Sequence, residues 1–414
     1  MARLVNRLTM NNQFCDVTSL RFNKNNLDIL IFVKYYLPGY KAGGAIRSIV
    51  NIVDKLGDEF NFSIVTSDRD WTDVCPYNHV FVDSWNQVGK ARVFYLSPRN
   101  QSLKFIVNLL SNTKHDLLYL NSFFDPIFTQ KPLWARCLYL KASTPLVIAP
   151  RGEFSVGAYS LKIWKKELYR RLCRTIGLFS QVIWHASTNY EAYDIKSRLK
   201  FSETEDSADR IIIASDIPSY LKKKATFGFE KSKILKLIFL SRISPKKNLD
   251  YALRVLMHVT VPLQFSIYGP KEEDAYWLEC QRLIKKLPSN IIVNYMGGLE
   301  HSNVNEIFQK NDLFFFPTMG ENYGHVIIEA LSAGTPVLIS NTTPWLDLER
   351  AGVGWDLPLN CEQEFAKKII GMANLSGDQL REIRLKAYLY AEKHRNSENI
   401  LNQNRELFKV AIRR

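Results

Sequence analysis

Two acids in one short stretch carry the sharpest chemical signal in this sequence. Glu321 and Glu329 lie in PTMGENYGHVIIEALSAG (317–334), with seven residues between them. The stretch opens behind Leu313-Phe314-Phe315-Phe316, an apolar run suited to a buried parallel strand. It passes Gly320 and Gly324 and enters a segment with Val326, Ile327, Leu331 and Ala333 as packing residues. A strand, a glycine-bearing loop and a helix make a phosphate cradle, because unpaired N–H groups and the positive helix end face the anion. A carboxylate would repel phosphate, but it bonds well to paired sugar hydroxyls. The two acids could therefore flank a diphosphate, one on a ribose and one on a transferred sugar. The competing reading is two helix N-terminal acids, stabilised by the dipole at about 0.3–1 kcal/mol each.

Two cations have matching placement. In LSRISPKKN (240–248), Arg242 and Lys247 sit at the mouth of a second strand–loop–helix unit. Arginine offers a planar fork and lysine a point charge, so the pair could clamp a diphosphate. A solvated basic loop is the alternative.

The elements that must position these groups alternate along the chain. Residues 1–26 read as an irregular lead-in. A first series of strands is expected at 27–33, 62–67, 92–97, 117–120, 145–149, 182–185 and 211–214. Helices are expected at 45–56, 103–110, 133–140 and 161–176. A basic, polar stretch over 218–234 reads as a linker. A second series follows at 237–240, 265–268, 291–295, 313–316 and 337–340. Alternation of this kind implies parallel sheets covered on both faces. The expected fold class is thus α/β, with two doubly wound domains at 27–217 and 235–385. Helices over 386–414 are expected to pack back toward the first domain. In such folds ligands bind where the carboxyl ends of the strands face a cleft.

Composition narrows the partners. The chain has 55 Lys and Arg against 41 Asp and Glu, a formal charge of +14, which favours anionic ligands. No run approaches the roughly 20 apolar residues that span a bilayer, and MARLVNRLTMNNQF lacks the apolar core of a secretion signal. The six cysteines are scattered without CxxC spacing, which suits reduced thiols in a cytoplasmic protein.

The run ENYGHVIIEA resembles the E-x7-E motif of the retaining glycosyltransferases of family 4, enzymes of the two-domain GT-B fold. The likeness extends to LSRISPKKN, NDLFFFPT, SAGTPVLIS and the Gly43-Gly44 loop, and covers nearly the whole chain from Leu27. It implies two Rossmann-like domains facing a central cleft. It also implies transfer of a sugar from a UDP- or GDP-linked donor to a saccharide acceptor, without a cofactor or metal. By that resemblance Glu321 would contact the donor sugar and Glu329 the ribose. Arg242 and Lys247 would bind the diphosphate and stabilise the leaving nucleotide, helped by backbone N–H groups at Tyr323, Gly324, His325 and Val326. Gly43 and Gly44 would let the first half approach the same diphosphate. The loop holding Gly298 and Leu299 would receive the base.

One departure stands out. Many relatives carry a histidine after a first-half strand that ends in the cleft; here that strand ends Ala149-Pro150-Arg151-Gly152-Glu153. This resembles a PRG-type subgroup of bacterial polysaccharide glycosyltransferases and makes Arg151 and Glu153 candidates for the acceptor side of the cleft. His185, at the end of a later strand, is expected to serve the fold. Asp68-Arg69-Asp70 matches a metal-binding D-x-D pattern but reads as a loop with a strand cap, so no metal is expected.

The segment LKIWKKELYRRLCRTI (161–176) interleaves cations with Trp164, Leu168 and Leu172. It suits an anionic membrane surface or a lipid-linked acceptor, or else an ordinary helix with a solvated basic face. Nucleic acid is not expected, since no basic and aromatic platform accompanies it. The reading is a retaining glycosyltransferase of surface polysaccharide synthesis (O-antigen, capsule or exopolysaccharide), cytoplasmic and peripheral at the inner membrane face. Its rivals are a nucleotide-sugar epimerase on a similar fold and a non-catalytic sugar- or phosphate-binding module.

Overall fold

The computed structural model describes residues 23–140, 143–155, 163–179, 181–199, 210–219 and 234–413. Most of the expected lead-in and most of the 218–234 linker lie outside the described residues, as does the start of the 161–176 segment.

Two sheets organise the chain. The first contains β1 (Leu27–Phe32), β2 (Phe60–Ser67), β3 (Trp85–Val88), β4 (Ala91–Leu96), β5 (Leu117–Leu120), β6 (Leu146–Ile148), β7 (Val182–Ala186) and β8 (Ile211–Ile213), in the spatial order 3-4-2-1-5-6-7-8. The second contains β9 (Leu235–Leu240), β10 (Leu263–Tyr268), β11 (Ile291–Gly297), β12 (Leu313–Phe316), β13 (Val337–Ser340) and β14 (Gly354–Leu357), in the order 11-10-9-12-13-14. Every described pairing is parallel except that of β3 with β4.

The side chains of β1 explain why this sheet is buried on both faces. Ile29 and Ile31 enter one apolar cluster, while Leu30 and Phe32 enter another on the opposite face. That is the consequence of a two-residue strand period in a sheet covered twice. The second half has one large core in which Phe314, Phe315 and Phe316 are fully buried.

Helix α1 (Gly44–Leu56) follows β1 and covers one face of the first sheet with Ile46, Ile49, Val53 and Leu56. Helix α2 (Ile163–Thr175) lies on the other side, where Cys173 joins the opposite core. In the second half, α3 (Asp274–Ile284) follows β10, α4 (His301–Gln309) follows β11, and α5 (His325–Ser332) follows β12. The chain closes with α6 (Gly377–Arg395) and α7 (Glu398–Arg413). Helix α7 lies on the first sheet. Its Phe408 ring stands 5.3 Å from Phe60 and 6.2 Å from Tyr119, and Asn404 donates to the Ser215 carbonyl at 2.8 Å.

Three local departures have physical causes. The β3–β4 hairpin was not expected, because WNQV alternates half-buried and buried positions without a continuous apolar run. The edge strand β14, GWDL, is only partly buried and hides for the same reason. The helix expected at 133–140 starts earlier, at Pro126, where Asp125 Oδ1 accepts the N–H groups of Ile127 (2.9 Å) and Phe128 (2.7 Å). From there to Leu140 it contains two π-helical segments around one short α-turn.

Candidate active site

The cradle forms where β12 passes into α5. Gly324, the residue before the helix, has φ 81° and ψ 55°, the left-handed region that glycine enters without penalty. A Cβ there would also stand 2.9 Å from Ile327 Cδ1, so the position has little room for a larger residue. The opening N–H groups of the helix, at His325 and Val326, have no intrahelical carbonyl to meet and point the positive helix end out of the sheet edge.

Backbone contacts bring the β9 loop against this cradle. Asn248 Nδ2 donates to the Pro317 carbonyl (2.9 Å), and Met319 N–H donates to the Lys246 carbonyl (2.9 Å). The two loops are thereby laced together, and Lys247 Nζ meets Glu321 Oε1 at 2.5 Å. Thr318 Oγ lies 3.1 Å from the same carboxylate oxygen. Burial on its own would raise the pKa of Glu321, but Lys247 and Lys246 bring it below the ordinary carboxylate value. Glu321 is thus an anion at neutral pH.

Glu329 is buried one turn into α5, with His301 Nε2 3.0 Å from its Oε1. His301 is the first residue of α4, directly after the loop that contains Gly298 and Leu299. Burial opposes ionisation of Glu329, yet His301 first, and then His325 and Arg47, outweigh it and depress its pKa. Arg47 belongs to α1, so a cation of the first half acts on Glu329 across the cleft.

The other cation, Arg242, takes a different partner. Its Nη1 lies 3.0 Å from Glu272 Oε1, and its guanidinium lies 5.8 Å from the centre of the Trp71 ring. Arg242 and Lys247 share one sheet edge, each beside its own carboxylate.

From the opposite side, the diglycine loop faces the cradle. Gly43 has φ 74° with open space where a Cβ would stand, and a Cβ on Gly44 would lie 3.6 Å from His325 Cδ2. The N-terminal ends of α1 and α5 therefore converge from the two halves. Gly152, at φ 77°, brings the first-half backbone against Asn322; a Cβ there would be 3.1 Å from the Asn322 Cβ. Gly298 approaches Tyr40, whose Cε2 would stand 3.9 Å from an added Cβ.

His325 ties the halves together. Its Nε2 lies 3.0 Å from Ser48 Oγ and 3.4 Å from Asp216 Oδ2, both in the first half. Asp216 also accepts from Ser48 Oγ (2.8 Å) and from Arg151 Nη1 (2.5 Å). Burial would raise its pKa, but Arg151 and His325 hold it well below the usual range.

Arg151 and Glu153 line a cavity of about 460 Å³, yet their polar atoms turn into the protein. Arg151, itself at φ 54°, also donates to Asn121 Oδ1 (2.7 Å) and Tyr119 Oη (2.8 Å). Glu153 accepts from Ser122 Oγ (2.7 Å) and from the N–H groups of Phe123 (2.6 Å) and Phe124 (3.0 Å). Both residues shape the cavity wall. Lys34, Tyr35, Trp71, Phe124 and Arg242 are among the other residues that line the cavity.

His185 lies behind this wall, with Nδ1 2.7 Å from Tyr119 Oη and Nε2 2.8 Å from the Ala214 carbonyl. Burial, and then the Arg151 charge, lowers its pKa to about 4, so the ring is neutral at pH 7. Asp68 pairs with Arg69 (2.8 Å). Asp70 accepts the N–H groups of Tyr40 (2.8 Å), Lys41 (3.0 Å) and Trp71 (2.8 Å). The D-x-D acids thus fasten the loops after β1 and β2. Among the described residues no group of three or more His, Cys, Asp or Glu side chains could hold a metal ion.

Sequence reasoning missed Ser48, Arg47, Asp216, His301, Glu272 and Trp71. Only His301 and Arg47 carried a signal: each follows a glycine pair that was itself expected to face the cleft.

Residues 222–390 match the family model for glycosyl transferases group 1. The chain is 27% identical over 243 residues to the "Uncharacterized 41.2 kDa protein in cps region" of Klebsiella pneumoniae, which covers 57% of this chain and 63% of that protein. It is 25% identical over 112 residues to the O-antigen chain mannosyltransferase B of Escherichia coli, covering 26% of this chain and 28% of that one. The chain thus spans less than two thirds of the length of either relative. Among solved structures, Alr3699/HepE of Anabaena in complex with UDP and glucose superposes with a TM-score of 0.64 at 16% identity, over 93% of this chain and 99% of that one. WaaG, a glycosyltransferase involved in lipopolysaccharide biosynthesis, superposes at 0.59 and 15% identity, over 90% of this chain and 98% of that one. The two parallel-sheet domains have the GT-B fold, and the second matches the glycosyl transferases group 1 model over residues 222–390.

Proposed function

We propose that this chain is a retaining glycosyltransferase, moving a sugar from a nucleotide-sugar donor to a saccharide acceptor in surface polysaccharide synthesis. The observation that carries the reading is the convergence of two helix N-termini, one from each half, beside Arg242, Lys247, the part-buried Glu321 and the buried Glu329. The group 1 match, and relatives named for a cps region and an O-antigen chain, support the same reading.

In this mechanism the diphosphate rests on the N–H groups at His325 and Val326, with Gly43 and Gly44 closing from the first half. Lys247 and Arg242 oppose the charge that grows on the departing phosphate, which is the term that preorganised cations and amides lower most. Glu321 orients hydroxyls of the donor sugar, and Glu329 holds the ribose. The acceptor hydroxyl enters from the cavity and attacks on the face that the phosphate leaves. A leaving phosphate oxygen takes its proton, because the cavity acids Glu153 and Asp125 are already engaged by backbone N–H groups. A lipid-linked acceptor would reach this cavity from a membrane surface bound by α2.

The test is a thermal-shift screen of the full chain against UDP, GDP and their sugars, repeated with Lys247→Ala. One nucleotide family should raise the melting temperature of the wild type, and the variant should lose most of that rise. An equal rise in both proteins would move the diphosphate site away from Lys247.

A further inference from the structure

Glu321 and Glu329 each have a role in the donor site, whereas Glu272 has none, although it contacts the one arginine assigned to the diphosphate. Its position is built into the backbone. Gly269 has φ 137°, and a Cβ there would stand 1.7 Å from the Ser241 carbonyl oxygen, so the loop after β10 can lie on the loop after β9 only with glycine at this position. Beyond it, Ile243 N–H donates to the Pro270 carbonyl (2.9 Å) and Glu272 N–H donates to the Ile243 carbonyl (3.0 Å). This parallel bridge between Ile243 and Lys271 sets Arg242 and Glu272 side by side.

The guanidinium is bracketed. Glu272 holds it from the second half, and the Trp71 ring of the first half lies over it. Lys246 is within electrostatic reach of Arg242, Glu272 and Glu321, so Glu272 offsets more than one cation of this sheet edge. Glu273 and Asp274 follow at the start of α3 with exposed side chains.

We propose that Glu272 competes with the donor's diphosphate for Arg242, acting as a displaceable counter-ion that weakens nucleotide binding and speeds nucleotide release. The inference rests on the donor-site reading above. A diphosphate that takes both forks of the guanidinium must displace the carboxylate, and a carboxylate left beside it repels it. The pair is part-exposed, so the competition is modest and sensitive to salt. Glu272 is a positioning residue in this account: it acts on the ligand through Arg242.

The experiment is titration calorimetry of UDP and of GDP on the full chain at low and high salt, with Glu272→Gln, Glu272→Asp, Arg242→Ala and the double variant Arg242→Ala/Glu272→Gln. Glu272→Gln should tighten the nucleotide that binds by about threefold to fivefold at low salt, the range a part-exposed ion pair supports. The gain should shrink at high salt, be absent in the Arg242→Ala background, and not appear in Glu272→Asp. Weaker binding by Arg242→Ala together with unchanged or weaker binding by Glu272→Gln would overturn this inference alone. An equal gain in both backgrounds would also overturn it, since Glu272 would then act without Arg242. No binding of either nucleotide, or full affinity in Arg242→Ala, would remove the donor-site reading beneath it.

Discussion

Burial decides what the ionisable side chains of this cleft can do. Lys247 and Glu321 neutralise each other at 2.5 Å, and His301, then His325 and Arg47, keep Glu329 ionised despite its burial. His185 shows the opposite outcome. With the Arg151 charge nearby and no carboxylate on its ring nitrogens, it stays neutral and its pKa falls to about 4. The sign of the consequence follows from proton counting. Between the ordinary histidine value and about pH 4 the unfolded chain binds a proton that the folded chain refuses, so stability falls as pH falls through that window. The loss should be on the order of 2–3 kcal/mol by about pH 4.5. Urea unfolding at about pH 7 and about pH 4.5 checks it. His185→Gln should lose this part of the acid slope, and an identical slope in the variant would show that His185 does not titrate as described.

At the scale of elements, strong apolar runs were legible and weak ones were not. The four phenylalanine and leucine positions of β12, and Val337–Ser340 of β13, could be placed to the residue because nothing but a central strand buries such runs. The edge strands β3 and β14 were not placed, because a half-covered strand needs no continuous apolar pattern. The candidate site divides in the same way. Glu321 with Glu329, and Arg242 with Lys247, stood out by spacing within two short stretches of chain, whereas Asp216 and Ser48 are 168 residues apart and meet only through the fold. The basic helix was read only in outline. Arg170 turns inward and pairs with Glu167, and Lys166 lies over the Phe124 ring. What α2 presents outward is an apolar row, Trp164, Leu168 and Leu172, flanked by the exposed Arg171 and Arg174. Under the proposed function this row would meet an anionic bilayer surface, where each inserted leucine would contribute about 1.5–3 kcal/mol. Sedimentation with vesicles containing anionic lipid should capture the wild type, and neutral vesicles should capture less. Leu168→Ser with Leu172→Ser should cut capture at least about tenfold without changing the melting temperature. Unchanged capture would assign the row to the fold's ordinary surface.

For the whole molecule, the decisive feature is that neither half contains a complete site. The second half holds the cradle, its cations and both acids. The first half contributes Gly43, Gly44, Arg47 and the cavity, and joins its partner through Ser48, Asp216 and His325. Separate contacts return α7 to the first sheet: Phe408 packs on Phe60 and Tyr119, and Asn404 fastens Ser215 beside Asp216. Under the proposed function such a chain would bind a nucleotide mainly with one half and do chemistry only with both. In that reading Glu321 separates those two properties, since it would face the transferred sugar and not the diphosphate. The direct measurement is therefore a paired assay of Glu321→Ala. Nucleoside diphosphate affinity is read by calorimetry, and sugar transfer from the donor identified by thermal shift is read as nucleotide release in the presence of acceptor oligosaccharides. Affinity within a fewfold of wild type with transfer lost by at least about a hundredfold is the expected result; wild-type transfer by Glu321→Ala would contradict the account.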